Sequence, residues 1–82
     1  MADRPMKLRD LRAALRRYGV GERPARGKGS HTLFFRQFPE GEFTYPVPTN
    51  RDPFLICYVK GCLRRFRLTV QDGISDKDFY GS

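Results

Sequence analysis

The chain has 82 residues, a formal charge of +7, one histidine and two cysteines. This length corresponds to one small domain with a thin core, which leaves little room for a deep enzyme pocket with a separate lid. No apolar run approaches the ~20 residues of a membrane-spanning helix, so we expect neither a membrane span nor a secretory signal. One histidine and two cysteines five positions apart cannot complete a zinc site, so we predict no metal and no cofactor; two reduced thiols favour the cytoplasm.

The basic excess is concentrated in two segments. Residues 1–31 carry nine lysines and arginines against three acidic residues, and residues 51–70 carry five against one. Such a surface favours a polyanion as partner, because neutralising phosphates releases their counterions. A solvated arginine-rich surface with no nucleic-acid role is the alternative.

The segment MKLRDLRAALRRYG, residues 6–19, predicts an amphipathic helix with one apolar stripe at spacings of three and four. Gly19 can supply the left-handed residue that ends it. Arginines outside the stripe make one surface of this helix strongly positive. The stripe consists of Leu8, Leu11, Leu15 and Tyr18, and the arginines are Arg9, Arg12, Arg16 and Arg17.

The next segment mixes a short extended piece with a turn. Pro24 favours an edge strand there, and the glycines on either side of Lys28 permit unusual backbone angles. HTLFFRQF, PEGE and FTYPVP, residues 31–48, then predict a hairpin whose second strand lies at an edge or ends soon after Val47, because Pro46 and Pro48 cannot donate to a ladder.

Strand alternation divides the first hairpin strand into two sets of side chains. His31, Leu33, Phe35 and Gln37 share one face, and Thr32, Phe34, Arg36 and Phe38 share the other. If His31 contacts RNA, its face is the one that the helices leave open. Leu33 and Phe35 would then be exposed apolar groups in need of a covering partner.

DPFLICYVKGCLRRF, residues 52–66, predicts a second helix, with Asp52 as its cap and Pro53 at its first position. We assign the stripe of Ile56, Val59, Leu63 and Phe66 to the core, and Cys57 and Cys62 to packing. Ser75 may cap one closing turn in SDKDFYGS, three residues before Asp78.

The predicted order is therefore α-β-β-β-α followed by a tail. It corresponds to an α+β domain at residues 6–70, with two helices on one face of a three-stranded antiparallel sheet, and an extension at residues 71–82. Double-stranded-RNA-binding domains have the same order, although a fold alone does not decide a function.

Four segments of the chain resemble the HicA family of type II toxins. LRDLRAALRRYGV (8–20) is similar to the opening helix of that family, and GKGSH (27–31) resembles its KGSH signature before a strand. TYPVP (44–48) is similar to its short proline-bearing strand, and YVKGCLRRFRLT (58–69) to its last helix. The chain departs from the family at three places. Thr32 stands where many members have a second histidine, Arg67 stands where a glycine usually closes the last helix, and the tail after Val70 extends beyond the usual end.

The resemblance implies a double-stranded-RNA-binding-like fold and an endoribonuclease that cleaves mRNA, inhibits translation and is neutralised by a HicB-type antitoxin in a hetero-oligomer. Its essential histidine corresponds to His31. An imidazole titrates near neutral pH, so it can accept or donate a proton during attack of the 2′-hydroxyl on phosphorus. Amides and cations at the turn and on the helices can hold phosphate oxygens. The expected RNA-binding residues are Lys28, Gly29, Ser30, Arg9, Arg12, Arg16 and Arg36. No second acid or base is evident from the sequence.

Two other functions stay open. The chain may be a non-catalytic RNA-binding module of the same shape, or a protein-interaction subunit whose charge serves an acidic partner. For His31 itself, the structural alternative is a polar residue at the start of a strand that hydrogen-bonds to backbone.

Overall fold

The computed structural model describes residues 5–25, 30–50 and 55–80, which form three α-helices and one three-stranded antiparallel sheet. The predicted α+β class and antiparallel sheet are confirmed. In chain order the elements are α1 (Leu8–Arg16), β1 (Gly21–Pro24), β2 (His31–Phe38), β3 (Gly41–Pro48), α2 (Ile56–Arg65) and α3 (Asp76–Tyr80), with a 3-10 turn at Val70–Asp72.

Strand β2 lies at the centre of the sheet, between β1 and β3. Phe34 of β2 pairs with Glu22 on one side and with Tyr45 on the other, and His31 pairs with Pro48. The prolines lie on the two outer strands, where the missing N–H donor costs least. The predicted hairpin and both edge positions are therefore confirmed.

Alternation along β2 decides which side chains face the helices. Thr32, Phe34 and Phe38 are buried, whereas His31 and the other odd-numbered residues of the strand are half-buried or exposed. The buried set joins the leucines of α1 and the apolar side chains of α2 in a single core. The helices therefore cover one face of the sheet, and the face of His31 is the one they leave open, as the alternation predicts.

Helix α1 packs as predicted, with Leu11 and Leu15 completely buried. Gly19 follows the helix with φ of +80°, the left-handed conformation expected of the residue that ends it. The two arginines of the helix that line the candidate site, described below, lie on its more exposed surface.

Helix α2 confirms most of the predicted stripe. Val59 and Phe66 are buried and Leu63 packs against the core, and Cys62 is buried as predicted. The helix begins at Ile56 after an extended Leu55, and Ile56 is 38% exposed, so its assignment to the core was wrong. Cys57 is exposed, which corrects its predicted packing role. The predicted cap at residues 52–53 lies outside the described residues.

A glycine allows α2 to approach the sheet closely. A Cβ atom at Gly61 would overlap the hydroxyl and the ring of Tyr45 on β3. The Tyr45 ring therefore packs directly on the helix backbone, and this burial raises the pKa of the Tyr45 hydroxyl.

The C-terminal segment packs against α1. The Ser75 hydroxyl accepts a hydrogen bond from the Asp78 amide at 3.0 Å, which is the predicted cap of this last helix. Phe79 is 1% exposed, and its ring stacks on Tyr18 with centroids 6.3 Å apart. Arg17 donates to the Phe79 carbonyl at 2.7 Å. Part of the segment that the sequence sets apart as an extension thus contributes to the core.

Candidate functional site

An open pocket of ≈ 460 Å³ lies at the end of the sheet where β2 begins, between α1 and the edge strand β1. Its lining combines side chains from four parts of the chain. They are Arg12 and Arg16 from α1, Glu22, Arg23 and Pro24 from β1, His31 and Thr32 from β2, and Thr49 after β3.

One ion pair joins the two walls of this pocket. The Arg12 guanidinium donates from Nε and Nη2 to the two carboxylate oxygens of Glu22, with Nη2 to Oε2 at 2.9 Å. The Thr32 hydroxyl donates to the same carboxylate at 2.7 Å. The hydrogen bond from Arg12 is the main reason why the pKa of Glu22 lies below its ordinary value of 4.5, and the bond from Thr32 lowers it further. Glu22 is therefore a fixed, ionised structural group.

The other two arginines of the pocket leave it with an excess of positive charge. Arg23 pairs with Glu42 at 2.7 Å, and its guanidinium lies 4.5 Å from the centre of the Phe35 ring. Arg16 is exposed and forms no salt bridge with any residue in the described part of the chain. Counting the described residues alone, three guanidinium groups line the pocket beside one engaged carboxylate, which suits an anion.

His31 is the first residue of β2 and is half-buried. Its Nδ1 atom is covered and has no hydrogen-bond partner among the described residues. Nε2 is therefore the ring nitrogen that a molecule in the pocket can reach. The adjacent backbone is fixed, because the Thr49 amide donates to the Ser30 carbonyl at 2.7 Å.

The predicted site residues divide into three groups. The pocket brings together His31, Arg12 and Arg16. Ser30 directly precedes His31 in the chain and is exposed. Arg9 is outside the pocket lining, with a side chain that is 79% exposed. Arg36 lies on the helix-covered face and donates to the Phe66 carbonyl at 2.8 Å. Lys28 and Gly29 lie outside the described residues.

Sequence reasoning missed Glu22, Arg23 and Thr49 as parts of the site. Their place depends on the strand register, which sets Arg23 opposite Leu33 and Pro24 opposite Thr32. The sequence offers one signal, the pair of Glu22 and Arg23 at the start of a predicted edge strand. Their side chains point to opposite faces of the sheet, and the pattern does not show which strand lies beside theirs.

The open face is less exposed than its sequence suggests. Leu33 and Phe35 are half-buried rather than fully exposed, because the Arg23 guanidinium covers the Phe35 ring. The ion pair of Arg23 with Glu42 holds that guanidinium in place. This side chain covers part of the apolar surface for which a partner was expected.

No helix in the described part of the chain is long and apolar enough to cross a membrane. Comparison of the chain with models of known protein families, with curated proteins and with solved structures finds no match.

Proposed function

We propose that the protein is a HicA-type toxin, an endoribonuclease with a double-stranded-RNA-binding-like fold that cleaves mRNA and inhibits translation. The observation that carries the proposal is the pocket in which the single histidine of the chain lies beside three guanidinium groups. Guanidinium groups bind phosphate through paired hydrogen bonds, and an imidazole exchanges protons near neutral pH. An RNA phosphodiester with its neighbouring 2′-hydroxyl needs both.

In this reaction the O2′–P bond forms while the P–O5′ bond breaks, which gives a 2′,3′-cyclic phosphate and a free 5′-hydroxyl. His31 accepts the proton of the 2′-hydroxyl at Nε2. The leaving oxygen takes a proton from water or from the imidazolium that has formed. Arg12 and Arg16 bind the phosphate oxygens and stabilise the negative charge that develops on them.

The state of Glu22 limits how fast this chemistry can be. Its carboxylate is held by Arg12 and Thr32 and remains ionised, so it is not a free acid or base. Among the described residues that line the pocket, His31 is then the one group available for proton transfer. General acid–base help from one residue is worth about 10²–10⁴-fold, so a slow nuclease is expected.

The same observation favours one alternative, a non-catalytic RNA-binding module. Such a module needs the cations of the pocket but no proton transfer. Replacing the histidine separates the two functions, because an imidazole that only fills space contributes nothing to cleavage.

The test measures cleavage and binding of one labelled RNA by the wild type and by His31→Ala. The ribonuclease function predicts a loss of cleavage of about 10²–10⁴-fold with RNA affinity nearly unchanged. Lys77→Gln, an exposed residue outside the pocket lining, serves as control and should cleave normally. Cleavage that survives in His31→Ala refutes the assignment, and RNA binding without cleavage by the wild type selects the binding module.

The proposed partner is an antitoxin of the HicB type that covers His31. A partner with acidic side chains would meet Arg16 and Arg23 at the pocket and shield the half-buried Leu33 on the open face. Loss of RNA cleavage when such a partner is added, and its recovery at high salt, is the expected behaviour.

A further inference from the structure

A second group of cations lies at the opposite end of β2 from His31. Three arginines are stacked there on two phenylalanines, and we call this group the arginine–aromatic cluster. Its members are Arg36, Arg65, Arg67, Phe38 and Phe43. The two rings are in contact at 4.7 Å between centroids.

Each guanidinium of the cluster is held against a ring face. Arg65 lies 4.8 Å from the centre of the Phe43 ring, and Arg67 lies 4.4 Å from that of Phe38. Arg36 lies on Phe38 at 4.8 Å. Stacking fixes the plane of a guanidinium while its N–H groups remain at the edges, where they can meet a planar or tetrahedral anion.

The polar contacts of the cluster leave several of these N–H groups for a ligand. Arg65 uses Nε for the Thr44 carbonyl at 3.1 Å, which leaves its two terminal nitrogens. Arg67 donates through Nη2 to Glu40. Glu40 pairs with Arg67, and the charge of Asp72 also acts on Arg67, so three arginines lie near these two carboxylates and the cluster keeps a net positive charge.

The backbone at Arg67 supports a role for this side chain. Its φ is +58°, and among the described residues other than glycine no other φ is positive. A side chain with a Cβ atom is disfavoured in that conformation, and glycine is the usual choice. This conformation ends α2, where the Leu68 amide donates to the Leu63 carbonyl at 2.8 Å, and the chain places there an arginine rather than the glycine that would fit best.

We propose that the arginine–aromatic cluster is a second contact for the RNA backbone, which binds the substrate at a distance from the cleaved bond. This inference rests on the proposed function. Strand β2 takes seven residue steps from His31 to Phe38, which is about 23 Å. Phosphates about 3.4 Å apart cover that straight distance in about seven nucleotides. Because Arg36 lies on the helix-covered face and His31 on the open face, an RNA that joins the two sites also passes around the molecule and needs more than about seven nucleotides.

The two-site arrangement predicts that substrate length decides whether the cluster matters. A trinucleotide can occupy the pocket of His31 but cannot reach the cluster, whereas a 12-nucleotide strand can occupy both. RNA is the proposed ligand of the cluster because stacked guanidinium groups match phosphates in shape and in charge. An acidic protein as the true partner of the cluster is an outcome that the test below can reveal.

The experiment uses fluorescent, 2′-O-methylated oligonucleotides of 3 and 12 nucleotides, which cannot be cut, and measures anisotropy over a range of salt concentrations. The cluster variant is Arg65→Gln with Arg67→Gly, because glycine accepts the left-handed backbone. The control variant, Arg64→Gln with Lys77→Gln, removes the same charge from exposed residues outside the cluster.

We expect the cluster variant to bind the 12-nucleotide strand about tenfold more weakly. Its slope of log affinity against log salt should fall by about 1.4, since each phosphate contact on a single strand contributes about 0.7. Its affinity for the trinucleotide should match that of the wild type. The control variant should keep the wild-type slope.

Three results would overturn the second site. The first is an equal loss of RNA affinity in the cluster variant and the control variant, and the second is an equal loss of affinity for the two oligonucleotides. The third is an unchanged affinity of the cluster variant for the 12-nucleotide strand, which would favour an acidic protein as the partner of the cluster. If the wild type binds neither oligonucleotide, the proposed function fails and the second site with it. Binding without cleavage of unmodified RNA removes only the ribonuclease activity, and the comparison of variants still decides the second site.

Discussion

The left-handed backbone of Arg67 makes a prediction that reverses the usual order of two substitutions. At an ordinary position, glycine is less stable than alanine by about 0.5–1 kcal/mol, because it loses more backbone freedom on folding. At φ of +58°, a residue with a Cβ costs about 1–2 kcal/mol. Arg67→Gly should therefore be more stable than Arg67→Ala by about 0.5–1 kcal/mol.

The two variants lose the same side-chain contacts, so this difference isolates the backbone. Arg67 is exposed, stacks on the buried Phe38 and the half-buried Phe43, and pairs with the exposed Glu40. A cation–π contact at an exposed site is worth about 0.5–1 kcal/mol, and the exposed ion pair adds little. Arg67→Ala should thus lie about 1–2 kcal/mol below the wild type, and Arg67→Gly closer to it.

Urea unfolding followed by circular dichroism measures all three proteins, since the chain has no tryptophan for fluorescence. The slope with urea should be the same in each, so that midpoints compare directly. If Arg67→Ala equals or exceeds Arg67→Gly in stability, the backbone at this position is not strained. The arginine at position 67 would then carry no cost in backbone strain.

Three further results are expected. Gly61→Ala should lose about 1–3 kcal/mol of stability, because its Cβ would overlap the Tyr45 ring, and Tyr45→Leu should restore most of it in the double variant; urea unfolding measures both. A maleimide should label Cys57 in the native protein but Cys62 only after unfolding, because burial raises the pKa of the Cys62 thiol to about 12; mass spectrometry over time gives the order, and equal rates would contradict it. The ion pair with Arg12 lowers the pKa of Glu22, so its stabilisation of about 1 kcal/mol is complete above pH 4.5 and is lost as the pH falls through the lowered pKa. The wild type should therefore be more stable than Glu22→Gln at pH 7 and lose that advantage in acid. A difference in stability that stays constant from pH 7 to pH 3 would exclude the ion pair as its source.

The features predictable from the sequence are those with a strong local period or a special backbone residue. The hairpin follows from two aromatic strands around a Pro–Gly turn, and the alternation of β2 separates His31, Leu33 and Phe35 from the set that the structure buries against the helices. Gly19 ends α1 because it alone in that segment adopts φ of +80° without cost. Each of these inferences needs only neighbours in the chain.

The features that the sequence left open depend on how distant elements meet. The sheet decides where the buried face of α2 begins. Gly61 lies against Tyr45, Val59 and Cys62 are buried as predicted, and Ile56 and Cys57 lie outside. A stripe that included Ile56 was compatible with the local spacing, and only the contact of the helix with β3 shows that the buried face starts at Val59.

The pocket failed to appear in the sequence for the same reason. Arg12 and Glu22 are ten positions apart and meet only because β1 runs back beside α1. Thr32 joins them only because of the register between β1 and β2. The Glu22 carboxylate is bound by Arg12 and by Thr32, so it joins the walls of the pocket.

The places where the chain departs from the HicA pattern have a structural basis in this fold. Thr32 donates to the carboxylate that fixes Arg12, so a histidine at that position would have to replace this hydrogen bond. Arg67 occupies a backbone conformation suited to glycine and stacks on Phe38. The tail brings Phe79 into the core. These three side chains contact the pocket, the arginine–aromatic cluster and the base of α1 respectively. Replacing Thr32, Arg67 and Phe79 one at a time should therefore change three separate properties. These are the orientation of Arg12, the binding of long RNA and the stability of the fold, in that order.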